Sequence, residues 1–154
     1  MNEIKARVEQ LRAQMKAHGV DAYIVPTSDF HETEYVCDHF KAREYMSGFT
    51  GSAGTCVFTA DAAKLWTDGR YFIQAAKQLE GSGIELMRMG DEGVPTIEAY
   101  LCDVLPAHAT LGFDGRVMNT AMVERRAQLE VTISQTWIWP PRDLAIVRHA
   151  RKDL

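Results

Sequence analysis

The sequence is poor in cysteine. Cys37, Cys56 and Cys102 are an odd set that cannot all pair within one chain, and none lies in a CxxC. A disulfide framework is therefore excluded, and three reduced, mostly buried thiols in a cytoplasmic protein are expected. Long apolar runs are missing as well. Nothing approaches the roughly 20 residues that a membrane helix requires. The start, Met1-Asn2-Glu3-Ile4-Lys5, lacks the basic-then-apolar order of a signal peptide. Positive charge is not in excess: 17 Lys and Arg face 21 Asp and Glu, a net charge of −4. A binder of nucleic acid that works by neutralising phosphates would carry the opposite balance. No internal repeat and no low-complexity tract is present.

What remains is ordinary globular material. The chain has 154 residues, of which 46% are hydrophobic and 25% charged. That is one domain's worth of chain, long enough to bury a real core. Ile4, Val8, Leu11 and Met15 form one apolar stripe over residues 3–18, which predicts a helix, and Gly19 stands where its C-terminal cap belongs. Residues 21–26 read as a short buried strand closed by Pro26. A loop follows, then a short helix over 38–46. Ser47 to Gly54 is a loop with glycines at 48, 51 and 54. Residues 55–59 and 64–67 predict a hairpin, and residues 70–79 a helix with Phe72, Ala76 and Leu79 on its apolar face. Ile84 to Met89 alternates as a strand with one wet face. Pro95 predicts the first turn of a helix that runs to Leu105. Residues 110–114 are a brief strand, 121–129 a helix, and Val131-Thr132-Ile133 the last strand. Helices alternate with strands throughout, so the expected fold is α/β: three layers, with a mixed sheet between helices on both faces. Trp137-Ile138-Trp139-Pro140-Pro141 sets two tryptophans beside a diproline, the composition of a linker.

The chemistry-bearing motifs are mostly absent. The glycine loop runs from a helix into a strand, whereas a phosphate cradle runs from a strand into a helix N-terminus. Neither GxGxxG nor the P-loop pattern occurs. Ser52 is not a nucleophile elbow, because position 50 is Thr. HExxH is absent, and Cys37 and His39 would point apart on a helix. Asp21, Asp61, Asp68 and Asp114 fall at strand starts and turns, where Asp is common for local hydrogen bonding. A two-metal nuclease using such aspartates, and a small-ligand pocket near the glycine loop, stay open as alternatives. Read from the residues alone, no nucleophile, base and electrophile come together.

Three segments carry a resemblance. They are Asp29-Phe30-His31-Glu32-Thr33-Glu34-Tyr35, then Ser47 to Thr55, then Trp66-Thr67-Asp68-Gly69-Arg70-Tyr71-Phe72-Ile73-Gln74-Ala75. Together they resemble the N-terminal domain of the aminopeptidase P (Xaa-Pro aminopeptidase) family, within the creatinase/prolidase group. The likeness extends over roughly residues 1–135. It implies the creatinase/prolidase N-terminal fold, with its ribonuclease H-like motif. Thr33 stands where members often carry Ser.

The resemblance also implies what this chain does not do. In that family a separate C-terminal domain holds two divalent metals, usually manganese, and cleaves the bond before a penultimate proline with a metal-bound hydroxide. This chain is expected to hold no cofactor, no metal ligands and no catalytic residue, and to be inactive alone. Residues 1–136 would be the domain and 137–154 the linker toward a domain that follows. Its partners would be its own catalytic domain, a second copy in a homodimer, and peptides with a penultimate proline; nucleic acid and membrane are not expected. By the same analogy the domain helps to build the dimer and narrows the mouth of the active site. Arg70 and Tyr71, with His31 and Tyr35, are the expected substrate-proximal residues: a forked donor, ring surface and an imidazole at a loop rim. Asp68 is the obvious alternative partner for Arg70.

Overall fold

A computed structural model describes residues 2–29, 31, 35–118, 121 and 132–134. Its first element is helix α1, Glu3–His18. The Asn2 side chain caps it by accepting the Ile4 N–H at 3.0 Å. Gly19 ends it at φ 67°, in the left-handed region, and the Val20 N–H closes back on the Met15 carbonyl at 2.9 Å. Val8, Leu11 and Met15 are buried, as the stripe predicts.

The strands are β1 (Ala22–Pro26), β2 (Thr55–Thr59), β3 (Ala63–Thr67), β4 (Glu85–Arg88), β5 (Thr110–Phe113) and β6 (Thr132–Ser134). They form one sheet in the order β4-β3-β2-β1-β5-β6. β2 runs antiparallel to both of its neighbours, β1 and β3; β4 lies parallel to β3, β5 to β1 and β6 to β5. Every residue of β1 is buried, which fits its place inside the sheet. Pro26 ends it because its nitrogen has no hydrogen to donate; Thr27 resumes the pairing with its N–H on the Gly54 carbonyl at 2.9 Å. Gly112 lies opposite Tyr23 in the β1–β5 register. A Cβ there would stand 2.8 Å from the Tyr23 ring and 2.9 Å from Val20, so only glycine lets those two side chains lie across the strand.

Alternation sends side chains of one strand to opposite faces. Tyr23 and Val25, with Cys56, Phe58 and Leu65, pack under α1, α2 (Ala42–Ser47) and α3 (Phe72–Gln78). Ala22 and Ile24, with Val57, Trp66 and Leu111, pack against Tyr100 and Leu101 of α4 (Ile97–Val104). This is the three-layer mixed α/β arrangement expected from the sequence.

Several details differ from expectation. The helix expected over 38–46 divides into a 3-10 turn at Asp38–Phe40 and α2. The buried positions of the third helix are Ala75 and Leu79, while Ala76 is exposed and Ile73 is 89% exposed. The core-facing row therefore runs through Tyr71, Ala75 and Leu79 at i, i+4 and i+8, not through Phe72 and Ala76. Pro95 lies before α4 and not in its first turn. Thr96 caps that helix through the Ala99 N–H at 3.1 Å, and the Pro95 carbonyl instead accepts the buried Trp66 indole N–H at 2.9 Å. Only Cys56 is buried; Cys37 and Cys102 are exposed. β6 begins at Thr132. Most of the helix expected over 121–129, Val131 and the whole of 137–154 lie outside the described residues.

Candidate functional site

The glycine loop between α2 and β2 is held from four sides. Arg43 is the centre. It is only 5% exposed, and its guanidinium donates through Nε to Thr27 Oγ1 at 2.9 Å, through Nη1 to the Phe49 carbonyl at 2.6 Å, and through Nη2 to the Gly51 carbonyl. The group also lies 4.8 Å from the Phe49 ring centroid. Thr27, at the end of β1, passes its own hydroxyl hydrogen to the Gly54 carbonyl at 2.7 Å. Thr67, at the end of β3, donates to the Ala53 carbonyl at 2.6 Å. From α3, Gln78 accepts the Thr50 N–H at 3.0 Å, and the Gln74 and Gln78 amides both donate to the Thr50 hydroxyl. The loop is irregular in sequence but rigidly tied.

Gly51 is required by space. A Cβ on it would lie 2.2 Å from Phe49 Cζ and 2.9 Å from the Tyr71 ring. Those rings meet edge to face, 5.9 Å apart. Outside them, the hydroxyls of Ser52 and Tyr71 share a hydrogen bond of 2.5 Å. The rim thus consists of Thr50, Ser52 and Tyr71, backed by a buried arginine. Behind it opens a pocket of about 380 Å³, whose walls include Thr27, Tyr35, Lys41, Arg43, Glu44 and Gly51.

Burial sets the electrostatics. Desolvation lowers the pKa of the Arg43 guanidinium, with nearby Cys56 and Glu44 working against it. Burial also pushes the Cys56 thiol up to about 12, although Arg43 and the Ser47 hydroxyl both favour its ionised form. A neutral, enclosed thiol is a poor nucleophile, so Cys56 is a packing residue. At the exposed corner between β3 and α3, hydrogen bonds from Arg70 hold the Asp68 carboxyl below the usual carboxylate range.

The four residues singled out from the sequence are partly gathered. Tyr71 is on the rim and Tyr35, 86% exposed, is on the pocket wall. Arg70 is adjacent, but it grips Asp68 through Nε and Nη2, both at 2.9 Å, and its side chain is 69% exposed. His31 is an exposed loop residue whose backbone N–H is held by the Asp29 side chain at 2.9 Å; it is not part of the pocket wall. The residue that the sequence reading missed is Arg43. A signal was present: no carboxylate stands three or four positions away on its own helix, so its partner had to come from elsewhere. Among the described residues, no group of three or more His, Cys, Asp or Glu is placed to hold a metal ion. The donor set of a dinuclear centre is therefore not offered by them. No helix among the described residues is long and apolar enough to cross a membrane.

Comparison with known proteins supplies the context. The model of the Creatinase/Prolidase N-terminal domain matches residues 7–136. Aminopeptidase P2 of Arabidopsis thaliana is 54% identical over 96 residues, covering 62% of this chain and 13% of its own length. The Drosophila melanogaster Xaa-Pro aminopeptidase ApepP is 47% identical over 116 residues, 75% of this chain and 19% of its own. This chain thus spans less than a fifth of the length of either relative. Among solved structures, an X-prolyl aminopeptidase from Caenorhabditis elegans, described as cytosolic with a di-nuclear active site, superposes with a TM-score of 0.78 at 26% identity. That match covers 92% of this chain and 26% of the other. A creatinase/prolidase-like N-terminal domain from Corynebacterium diphtheriae superposes with a TM-score of 0.63 at 26% identity, over 86% of this chain and 94% of the other.

Proposed function

Since the chain belongs to the creatinase/prolidase N-terminal domain family, we propose that it is the non-catalytic N-terminal domain of a longer, metal-dependent, cytoplasmic Xaa-Pro aminopeptidase. The catalytic domain that follows it would hold two divalent metals, manganese in the first instance, and hydrolyse the bond before a penultimate proline. The present domain contributes to dimer assembly and to access: its rim admits the end of a peptide and turns away a folded chain. The carrying observation is the match over residues 7–136, together with relatives several times longer that are named for this activity. The rim suits its part. It has a fixed backbone, ring surface from Tyr71 and hydroxyls that can meet peptide groups, all braced from behind by Arg43. Arg70 and His31 stand as outer contacts to an incoming peptide.

The test has two arms. The 154-residue chain, given manganese and a Xaa-Pro peptide, shows no turnover, while the longer gene product does. In that longer protein, Ser52→Ala and Tyr71→Phe raise KM for peptides a few-fold and leave kcat nearly unchanged. Turnover that stays with the short chain through repurification overturns the reading of this domain as non-catalytic. Unchanged kinetics in both rim variants overturn its role in access.

A further inference from the structure

Arg43 has a charge that the loop does not answer. Its three hydrogen bonds all end on neutral oxygens, two carbonyls and a hydroxyl. A guanidinium has five N–H donors, so two remain. No carboxylate among the described residues lies within ion-pair distance of it, although it is 5% exposed. Buried charges are normally paired, because desolvation without an opposite charge is costly. A second group nearby is also unsatisfied. Gly51 is buried, and its N–H has no acceptor among the described residues. Such orphaned donors are rare in folded proteins. Both residues line the same pocket of about 380 Å³, and Lys41 is on its wall.

We infer that this pocket takes a carboxylate, seated against the unused N–H groups of Arg43 and the Gly51 amide. A carboxylate matches planar guanidinium geometry and accepts from backbone N–H at the same time. Two features temper the field. Lys41 is already bound to Asp38 at 2.8 Å, and Glu44 on the same wall repels an anion. The site is therefore built for a single negative charge, such as the C-terminal carboxylate of a short peptide or a free small acid. The inference rests on the access reading for its meaning: the trailing end of a short peptide would be held at the rim.

The experiment is an amide titration of the ¹⁵N-labelled 154-residue chain with triglycine, triglycinamide and acetate. Saturable shifts at Gly51 and Ser52 are expected with triglycine, and binding roughly tenfold weaker or worse with the amide, because a charge-assisted contact is lost. Acetate separates the two sources: binding equal to triglycine assigns the site to free acids, and weaker binding to peptide ends. Equal affinity for acid and amide, or no saturable shift with any probe, overturns the inference. Arg43→Lys abolishes the shifts if the variant folds. Glu44→Gln, on the surface of the pocket, tightens triglycine binding two- to threefold by removing a like charge; unchanged or weaker binding counts against the site. Loss of this binding with the rim kinetics intact would remove the carboxylate site alone. Binding with unaltered rim kinetics would remove the access reading alone.

Discussion

The Nη2 of Arg43 donates to the carbonyl of Gly51, eight residues further along the chain, and Nη1 donates to Phe49 between them. One planar side chain therefore sets the course of a loop that has no regular secondary structure. Arg43→Met keeps the approximate volume and removes all the donors. It leaves the Phe49 and Gly51 carbonyls without their partner, at roughly 1–3 kcal/mol for each buried group. A stability loss of about 3 kcal/mol in urea unfolding is expected. Arg43→Lys, a point charge without a fork, should recover less than half of it. A loss under 1 kcal/mol in the Met variant would show that the loop is held by its other ties.

Gly51 and Phe49 predict a coupling. The added methyl of Gly51→Ala collides with the tip of the Phe49 ring, and overpacking of this kind typically costs about 1–3 kcal/mol. Phe49→Leu shortens the obstacle. In a double-mutant cycle the Ala variant should be less destabilising on the Leu background, with a coupling of about 1 kcal/mol or more. Additive losses would mean that the clash is relieved by backbone movement.

The hydroxyl pair of Ser52 and Tyr71 is at the surface, so its contribution is small. Removing either partner should cost about 0.5–1 kcal/mol, and removing both little more. Chemical denaturation of the two single variants and the double variant measures this directly. Strict additivity would deny that the two hydroxyls interact.

How far the fold could be read beforehand depended on whether a signal was local. The α1 stripe and Gly19 are local, and the helix ends where the glycine adopts φ 67°. The hairpin of β2 and β3 is local as well. Strand order is not. That β4 lies parallel to β3 and β5 parallel to β1 depends on tertiary packing, which no short window contains. The buried face of α3 is ambiguous in sequence, because a seven-residue helix with apolar residues at 72, 73, 75 and 76 permits more than one stripe. At the site, Tyr71 enters through the family resemblance, not through its local sequence, and it hydrogen-bonds to Ser52 of the glycine loop. Arg43 is marked only by a negative, the lack of a carboxylate one helical turn away, because two of its partners are backbone carbonyls without residue identity and the third, Thr27, lies sixteen residues back in the chain.

Asp68 and Arg70 predict a titration rather than a stability effect. Hydrogen bonds from Arg70 lower the Asp68 pKa. The sign follows: the pair is intact above the ordinary carboxylate range and is lost as the pH falls through the lowered value. Both side chains are well exposed, so the contribution to stability is screened and small. A ¹³C carboxyl titration should find Asp68 below the usual range and find it restored in Arg70→Ala. An unchanged titration would show that the pair does not persist in solution.

The thiols divide by exposure. Cys37 and Cys102 should react with a disulfide reagent in the native chain, and Cys56 only after unfolding. The same burial carries a pH effect. Cys56 titrates at about 12 in the folded chain, well above an ordinary thiol. Below the ordinary thiol range both states hold the proton, and the group does not favour unfolding. Above it the unfolded chain releases the proton while the folded chain keeps it, so stability falls by up to about 1.4 kcal/mol per pH unit until the folded value is reached. Cys56→Ala removes this term and leaves a small cavity in its place. The variant should therefore be less stable than the parent at pH 8, and the gap should narrow, or reverse, by pH 11. A gap that stays constant between those values would mean that the folded thiol ionises as readily as the unfolded one.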